Sequence, residues 1–114
     1  MPRNMSFALT TAQIRDRSKT VTRRKGWRHA RLGDVINAVE KVMGFKPGEK
    51  MKRICQIRIT SITTEPLNHI THEDVVREGF PGMTAEEFVA MFCRNMGGQP
   101  DQIVTRIEFE YLEN

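Results

Sequence analysis

In the stretch Arg106-Ile107-Glu108-Phe109-Glu110-Tyr111-Leu112, the apolar residues Ile107, Phe109 and Tyr111 alternate with the charged residues Arg106, Glu108 and Glu110. A two-residue period sends successive side chains to opposite faces, so this segment reads as a strand with one face on a core. Two helix signals stand before it. Thr84 and Glu87 form a capping box, Phe88, Met91 and Phe92 follow as an apolar stripe, and Gly97-Gly98 closes the helix. Thr71 with Asp74 three residues later starts a shorter helix, expected to end near Glu78-Gly79.

Strand signals dominate further toward the N-terminus. Met51 to Ile62 reads as a strand, with Cys55, Ile57 and Ile59 on one face and Gln56, Arg58 and Thr60 on the other. Gly44 to Lys50, with Pro47-Gly48, separates it from a strand over Val35 to Val42 that the turn Leu32-Gly33-Asp34 feeds. The β-branched Thr20-Val21-Thr22 favours extended backbone. Thr10 or Thr11 caps a helix through Ala12, Ile14 and Arg17, and Ser6 to Leu9 is a short strand. Strands, then helices, then a closing strand imply an α+β fold: a small curved sheet or barrel with helices packed on it.

The 114 residues suit one domain, 1–114, and no repeat, linker or low-complexity tract divides them. With 39% hydrophobic and 28% charged residues, the composition is that of a soluble globular protein. No apolar run approaches the ~20 residues that cross a bilayer. The first six residues lack the apolar core of a signal peptide. Cys55 and Cys93, without CxxC spacing, read as structural thiols in a reducing cytoplasm. His69 and His72 lack the further ligands a metal site needs, and nothing else calls for a metal or cofactor. The oligomeric state is left open.

The net charge of +4 conceals an asymmetry, because residues 1–31 hold nine Lys or Arg against the single acid Asp16. A one-sided positive field favours an anionic partner, and phosphate backbones are the commonest. The charge concentrates from Arg17 to Arg31, around Lys19-Thr20-Val21-Thr22-Arg23-Arg24. Arg17, Arg23 and Arg24 are candidates to hold phosphate, and Trp27, the sole tryptophan, could stack on a base or cap the core. Lys19 and Thr22 make a candidate base and nucleophile if neighbouring cations and burial lower the lysine pKa. The acids Glu73-Asp74 and Glu86-Glu87 sit in first helical turns, where the helix dipole accounts for them. Glu78 lies at a helix end, where the dipole disfavours a carboxylate, which suggests a place opposite the basic segment.

Taken in order, Arg17 to Arg24, Leu32-Gly33-Asp34 with its strand, Glu78 after a short helix, and Ile107-Glu108-Phe109 resemble the ASCH domain family over nearly the whole chain. The resemblance implies a PUA-like β-barrel with flanking helices and an RNA- or nucleotide-binding cleft. The family signature is roughly GxKxxExR; here Arg17 takes the glycine position, Thr22 the glutamate position, and Arg24 matches the arginine. The KTxTxR form is similar to that of bacterial N4-acetylcytidine amidohydrolases, whose catalytic lysine, threonine and glutamate fall on Lys19, Thr22 and Glu78. The resemblance implies that Lys19 takes the Thr22 proton, Thr22 attacks an N-acylated cytosine, Glu78 handles protons, and Arg24 orients the substrate or oxyanion. Two alternatives use the same cleft: a non-catalytic RNA-binding module, or a ribonuclease with Lys19 and Glu78 as acid and base.

Overall fold

The computed structural model describes residues 2–112. Five strands and three α-helices run in the order β1 (Arg3–Ser6), α1 (Thr11–Arg15), β2 (Val21–Arg24), β3 (Val35–Val39), β4 (Arg53–Pro66), α2 (His72–Arg77), α3 (Ala85–Met96) and β5 (Ile103–Tyr111), with a 3-10 turn at Leu67–His69. They form one sheet in the order β1-β3-β4-β5-β2, parallel only between β1 and β3. The sheet curls into a half-barrel and the helices pack on it, which is the α+β, PUA-like architecture expected.

β5 organises the molecule because both of its faces are used. Ile107 and Phe109 enter a core inside the curl with Met5, Phe7, Ile14, Ile57 and Ile59. Val104, of opposite parity, enters a second core beneath α2 and α3 with Leu67, Val75, Phe88 and Phe92. Curvature comes from β4. Ile59 pairs with Phe109 but Ser61 pairs with Glu108, so Thr60 is an extra residue in the ladder. Such a bulge bends a strand and adds twist. It also shifts the inward row from Ile57 and Ile59 to Ile62, which faces Ile107.

Several boundaries differ from the sequence reading: β4 starts at Arg53 rather than Met51, β5 starts at Ile103 rather than Arg106, and four further differences have a local reason. The first strand is Arg3–Ser6 rather than Ser6 to Leu9, because Thr10 N–H closes a turn onto Phe7 O at 3.0 Å and leaves Leu9 half exposed. α1 stops at Arg15, since Arg17 takes a left-handed φ of 65°. β3 stops at Val39, where a register shift breaks its ladder with β4. β4 runs on to Pro66, its β-branched Thr63 and Thr64 pairing with Arg106 and Thr105. The starts of α2 and α3 behave as read, whereas Thr10 precedes α1 without making a side-chain cap bond. Thr71 accepts from Asp74 N–H, and Thr84 and Glu87 complete a reciprocal capping box. Among the described residues no helix is long and apolar enough to cross a membrane.

Candidate active site

β2 lies at one edge of the sheet and among the described residues pairs only with β5: Thr22 opposite Ile107, Arg23 opposite Arg106, Arg24 opposite Thr105. The strand period therefore sends Thr22 and Arg24 to one face and Arg23 to the other. The residues leading into β2 are fixed by backbone bonds. Lys19 N–H donates to Gln13 O at 3.3 Å, Thr20 N–H donates to Arg77 O at 2.8 Å, and the Tyr111 hydroxyl donates to Lys19 O.

This anchoring carries the Lys19 side chain inward, where only 3% of the residue is exposed. Its ammonium donates to Glu78 Oε1 at 2.7 Å and to the Glu78 carbonyl at 2.9 Å. Arg23 donates to the other carboxylate oxygen, Oε2, at 3.2 Å. Glu78 is thus a carboxylate at the C-terminal end of α2, a position the helix dipole opposes, held there by two buried cations. Gly79 makes the position possible. It has φ 101°, it packs so closely that a Cβ would lie 2.7 Å from Gln13 Cγ, and its carbonyl accepts from Gln13 Nε2 at 3.1 Å.

Thr22 is also buried, at 3% exposure. Its oxygen accepts from Arg24 Nε at 3.1 Å, so its hydrogen-bond partner is Arg24 rather than Lys19. Arg24 lies over the Phe7 ring, 4.8 Å from its centroid. Arg23 is saturated differently. Its NH2 reaches Asp74 at 2.6 Å and Glu65 at 3.2 Å, while its buried Nε has no partner among the described residues. Asp74 in turn accepts a bidentate pair from Arg106, at 2.7 and 3.1 Å. Arg106 and Arg77 share Glu108 at 2.9 and 3.0 Å, and Arg77 Nε donates to Thr20 at 3.3 Å.

Lys19, Thr22, Arg24 and Glu78 line one cleft of about 460 Å³. It opens between the two sheet edges, with Ser6 and the following turn on one side and β2 on the other. Phe80, Phe88, Met91 and Phe92 supply an apolar wall from α3 and the turn before it, and Leu9, Val42, Met43 and Met96 form a partly exposed rim. This is the size and character of a small-ligand pocket: mostly apolar, with a few convergent polar groups. Burial pushes the Lys19 amine below its ordinary value; Glu78 opposes the shift, and Arg24 and Arg23 add to it. Burial likewise lowers Arg24 to about 10. The Arg106 hydrogen bonds, with help from Arg23, bring Asp74 down to about 2.

Of the candidate residues, the structure brings Lys19, Thr22, Glu78, Arg23 and Arg24 to this cleft and leaves Arg17 and Trp27 outside its lining. Arg17 is exposed and lies over the Tyr111 ring. Trp27 is half buried against the core inside the curl, with the Arg3 guanidinium 4.5 Å above its ring. His69 and His72 are exposed, and among the described residues no three potential metal ligands cluster. Glu65, Asp74 and Arg106 carry no signal in the sequence that ties them to this cleft, because Arg23 and Arg106 become neighbours only through the β2–β5 register.

No protein-family model and no curated protein matches the chain. Solved structures do. A Lactobacillus crispatus ASCH domain superposes with a TM-score of 0.57 at 16% identity, over 96% of this chain and 78% of that one. The chain has the ASCH fold. Protein EF3133 of Enterococcus faecalis, described as DUF984, shares it with a TM-score of 0.69 and 15% identity over 98% of this chain and 77% of its own. A hypothetical protein, PH0355, gives 0.67 and 18% over 98% and 100%. In this ASCH fold the cleft lies where the half-barrel fails to close.

Proposed function

We propose that this cleft binds an N4-acylated cytidine, free or within RNA, and hydrolyses its amide, with N4-acetylcytidine as the type substrate. The observation that carries the reading is a buried lysine of lowered proton affinity, bonded to a buried glutamate, with a buried threonine hydroxyl on the same cleft. An amine with a lowered pKa spends more of its time as a free base near neutral pH, which a hydroxyl nucleophile needs. The KTxTxR similarity supplies the substrate class.

In the reaction, neutral Lys19 accepts the Thr22 hydroxyl proton as Oγ1 attacks the amide carbonyl carbon. Arg24, the sequence candidate for orienting substrate or oxyanion, sits on Oγ1 and stabilises negative charge as it develops there. The tetrahedral intermediate expels the cytosine amine, which takes the proton back from Lys19. Water then attacks the Thr22 ester and gives up a proton to the Lys19–Glu78 pair. The acyl carbon–Oγ1 bond breaks, the pair returns that proton to Oγ1, and the carboxylic acid leaves with the Thr22 hydroxyl restored. Arg23, tied to three carboxylates, holds Glu78 in place rather than gripping phosphate.

Purified protein should convert N4-acetylcytidine to cytidine and acetate, and Lys19→Ala or Thr22→Ala should reduce kcat by about 100-fold or more. One observation favours a second reading, a non-catalytic RNA-binding module: Lys19 and Arg23 satisfy every oxygen of Glu78, as in a purely structural ion pair. That module would bind nucleoside or RNA without turnover, and a ribonuclease would instead shorten RNA chains.

A further inference from the structure

We propose that Asp74, a residue outside the Lys19–Thr22–Glu78 group, is a positioning residue that sets the orientation of the Glu78 carboxylate and the proton affinity of Lys19. The inference concerns the site proposed above, but its physical content does not depend on the reaction.

Asp74 occupies the third position of α2, where an acid usually complements the helix dipole or closes a capping box. Its backbone N–H bonds to Thr71, while its carboxylate points elsewhere, onto β2 and β5. Both oxygens are taken by guanidinium groups, with Arg23 NH2 and Arg106 Nε converging on Oδ2 at 2.6 and 2.7 Å. Arg23 and Arg106 stand directly opposite each other in the β2–β5 register, where two like charges repel. One carboxylate between them makes the pairing tolerable and fixes the Arg23 plane.

That plane decides what Glu78 does. With NH2 committed to Asp74 and Glu65, Arg23 presents NH1 to Glu78 Oε2, leaving Oε1 for Lys19. Loss of the Asp74 charge would leave Arg23 and Arg106 undercompensated and turn Arg23 more fully onto Glu78, in competition with Lys19. The charged groups facing this assembly are Glu78 and Arg77 from α2, Arg23 and Arg24 from β2, Glu65 from β4, and Arg106 and Glu108 from β5; the Tyr111 hydroxyl lies on the Lys19 carbonyl. Removing one negative charge from this set makes the potential at Lys19 more positive and lowers its pKa. Removing a positive charge raises it.

The test is an NMR titration of the Lys19 side chain in isotope-labelled protein, which needs no turnover. Asp74→Asn should lower the Lys19 midpoint by on the order of one pH unit, and Asp74→Glu should restore most of it. Arg106→Gln should move the midpoint up, and it carries the test if Asp74→Asn does not fold. On N4-acetylcytidine, the rising limb of kcat/KM against pH should follow the same shifts. A Lys19 midpoint unmoved in folded Asp74→Asn, or moved down in Arg106→Gln, overturns the proposal. Shifted midpoints without any turnover would sustain it and reject the amidohydrolase reading instead.

Discussion

At the scale of single residues, the site rests on Glu78 being acceptable where α2 ends. Removing the carboxylate leaves Lys19 and Arg23 buried with a lost partner, so Glu78→Ala should cost about 3–5 kcal/mol in urea unfolding. The double replacement Lys19→Met with Glu78→Leu should recover part of that loss, because the Lys19 charge no longer needs a partner while Arg23 NH1 still lacks Glu78. Lys19 also makes a pH signature. Its folded pKa is lowered from the ordinary 10.5, so between the two values the unfolded chain binds more protons and stability rises with pH. Subtracting the pH dependence of Lys19→Met from that of the wild type should reveal this rise, ending near 10.5. Lys19 and Glu78 were legible in the sequence: one as a lysine among arginines beside two threonines, the other as an acid at the wrong end of a helix. The pairing of Arg23 was not, because its three partners come from two other elements, β4 and α2.

At the scale of elements, α2 does most to assemble the site, presenting Asp74 near its start and Glu78 at its end. The Gly79 turn that follows tolerates no side chain. Gly79→Ala meets both a left-handed φ and Gln13, and should destabilise the fold by on the order of 1–3 kcal/mol while displacing Glu78. Loss of activity greater than loss of stability would mark the displacement. Asp74 contributes to the acid dependence of the fold. Its folded pKa of about 2 lies below the ordinary 3.8, so its contribution is present above 3.8 and fades as pH falls toward 2. Acid unfolding of Asp74→Asn should lack this step. Caps and periodicities announced α2, α3 and β5, because those signals are local. The ends of β1, β3 and β4 depend on a turn bond, a register shift and a bulge, all of which arise only when strands meet.

At the scale of the whole molecule, the curled sheet leaves its two edges apart, and the cleft occupies that gap. The basic N-terminal segment reads in sequence as a phosphate-binding surface. Within the cleft, however, the Lys19 and Arg23 cations are committed to carboxylates. Turnover of a free nucleoside, which carries no phosphate, should therefore depend weakly on salt, unlike the steep decline of multi-phosphate binding. Rates measured between low and physiological ionic strength, on the nucleoside and on an oligoribonucleotide carrying the same base, check this. In the apolar wall, Phe88, Met91 and Phe92 were readable only as core, since the same helical stripe serves both the packing and the pocket. The most direct measurement is deacylation of N4-acetylcytidine at high enzyme concentration, followed alongside Lys19→Ala and Thr22→Ala. If the cleft is an N4-acylcytidine amidohydrolase, the wild type yields cytidine and acetate and either variant yields about 100-fold less. An inert wild-type protein, or a Thr22→Ala variant that turns over at the same rate, would contradict that reading.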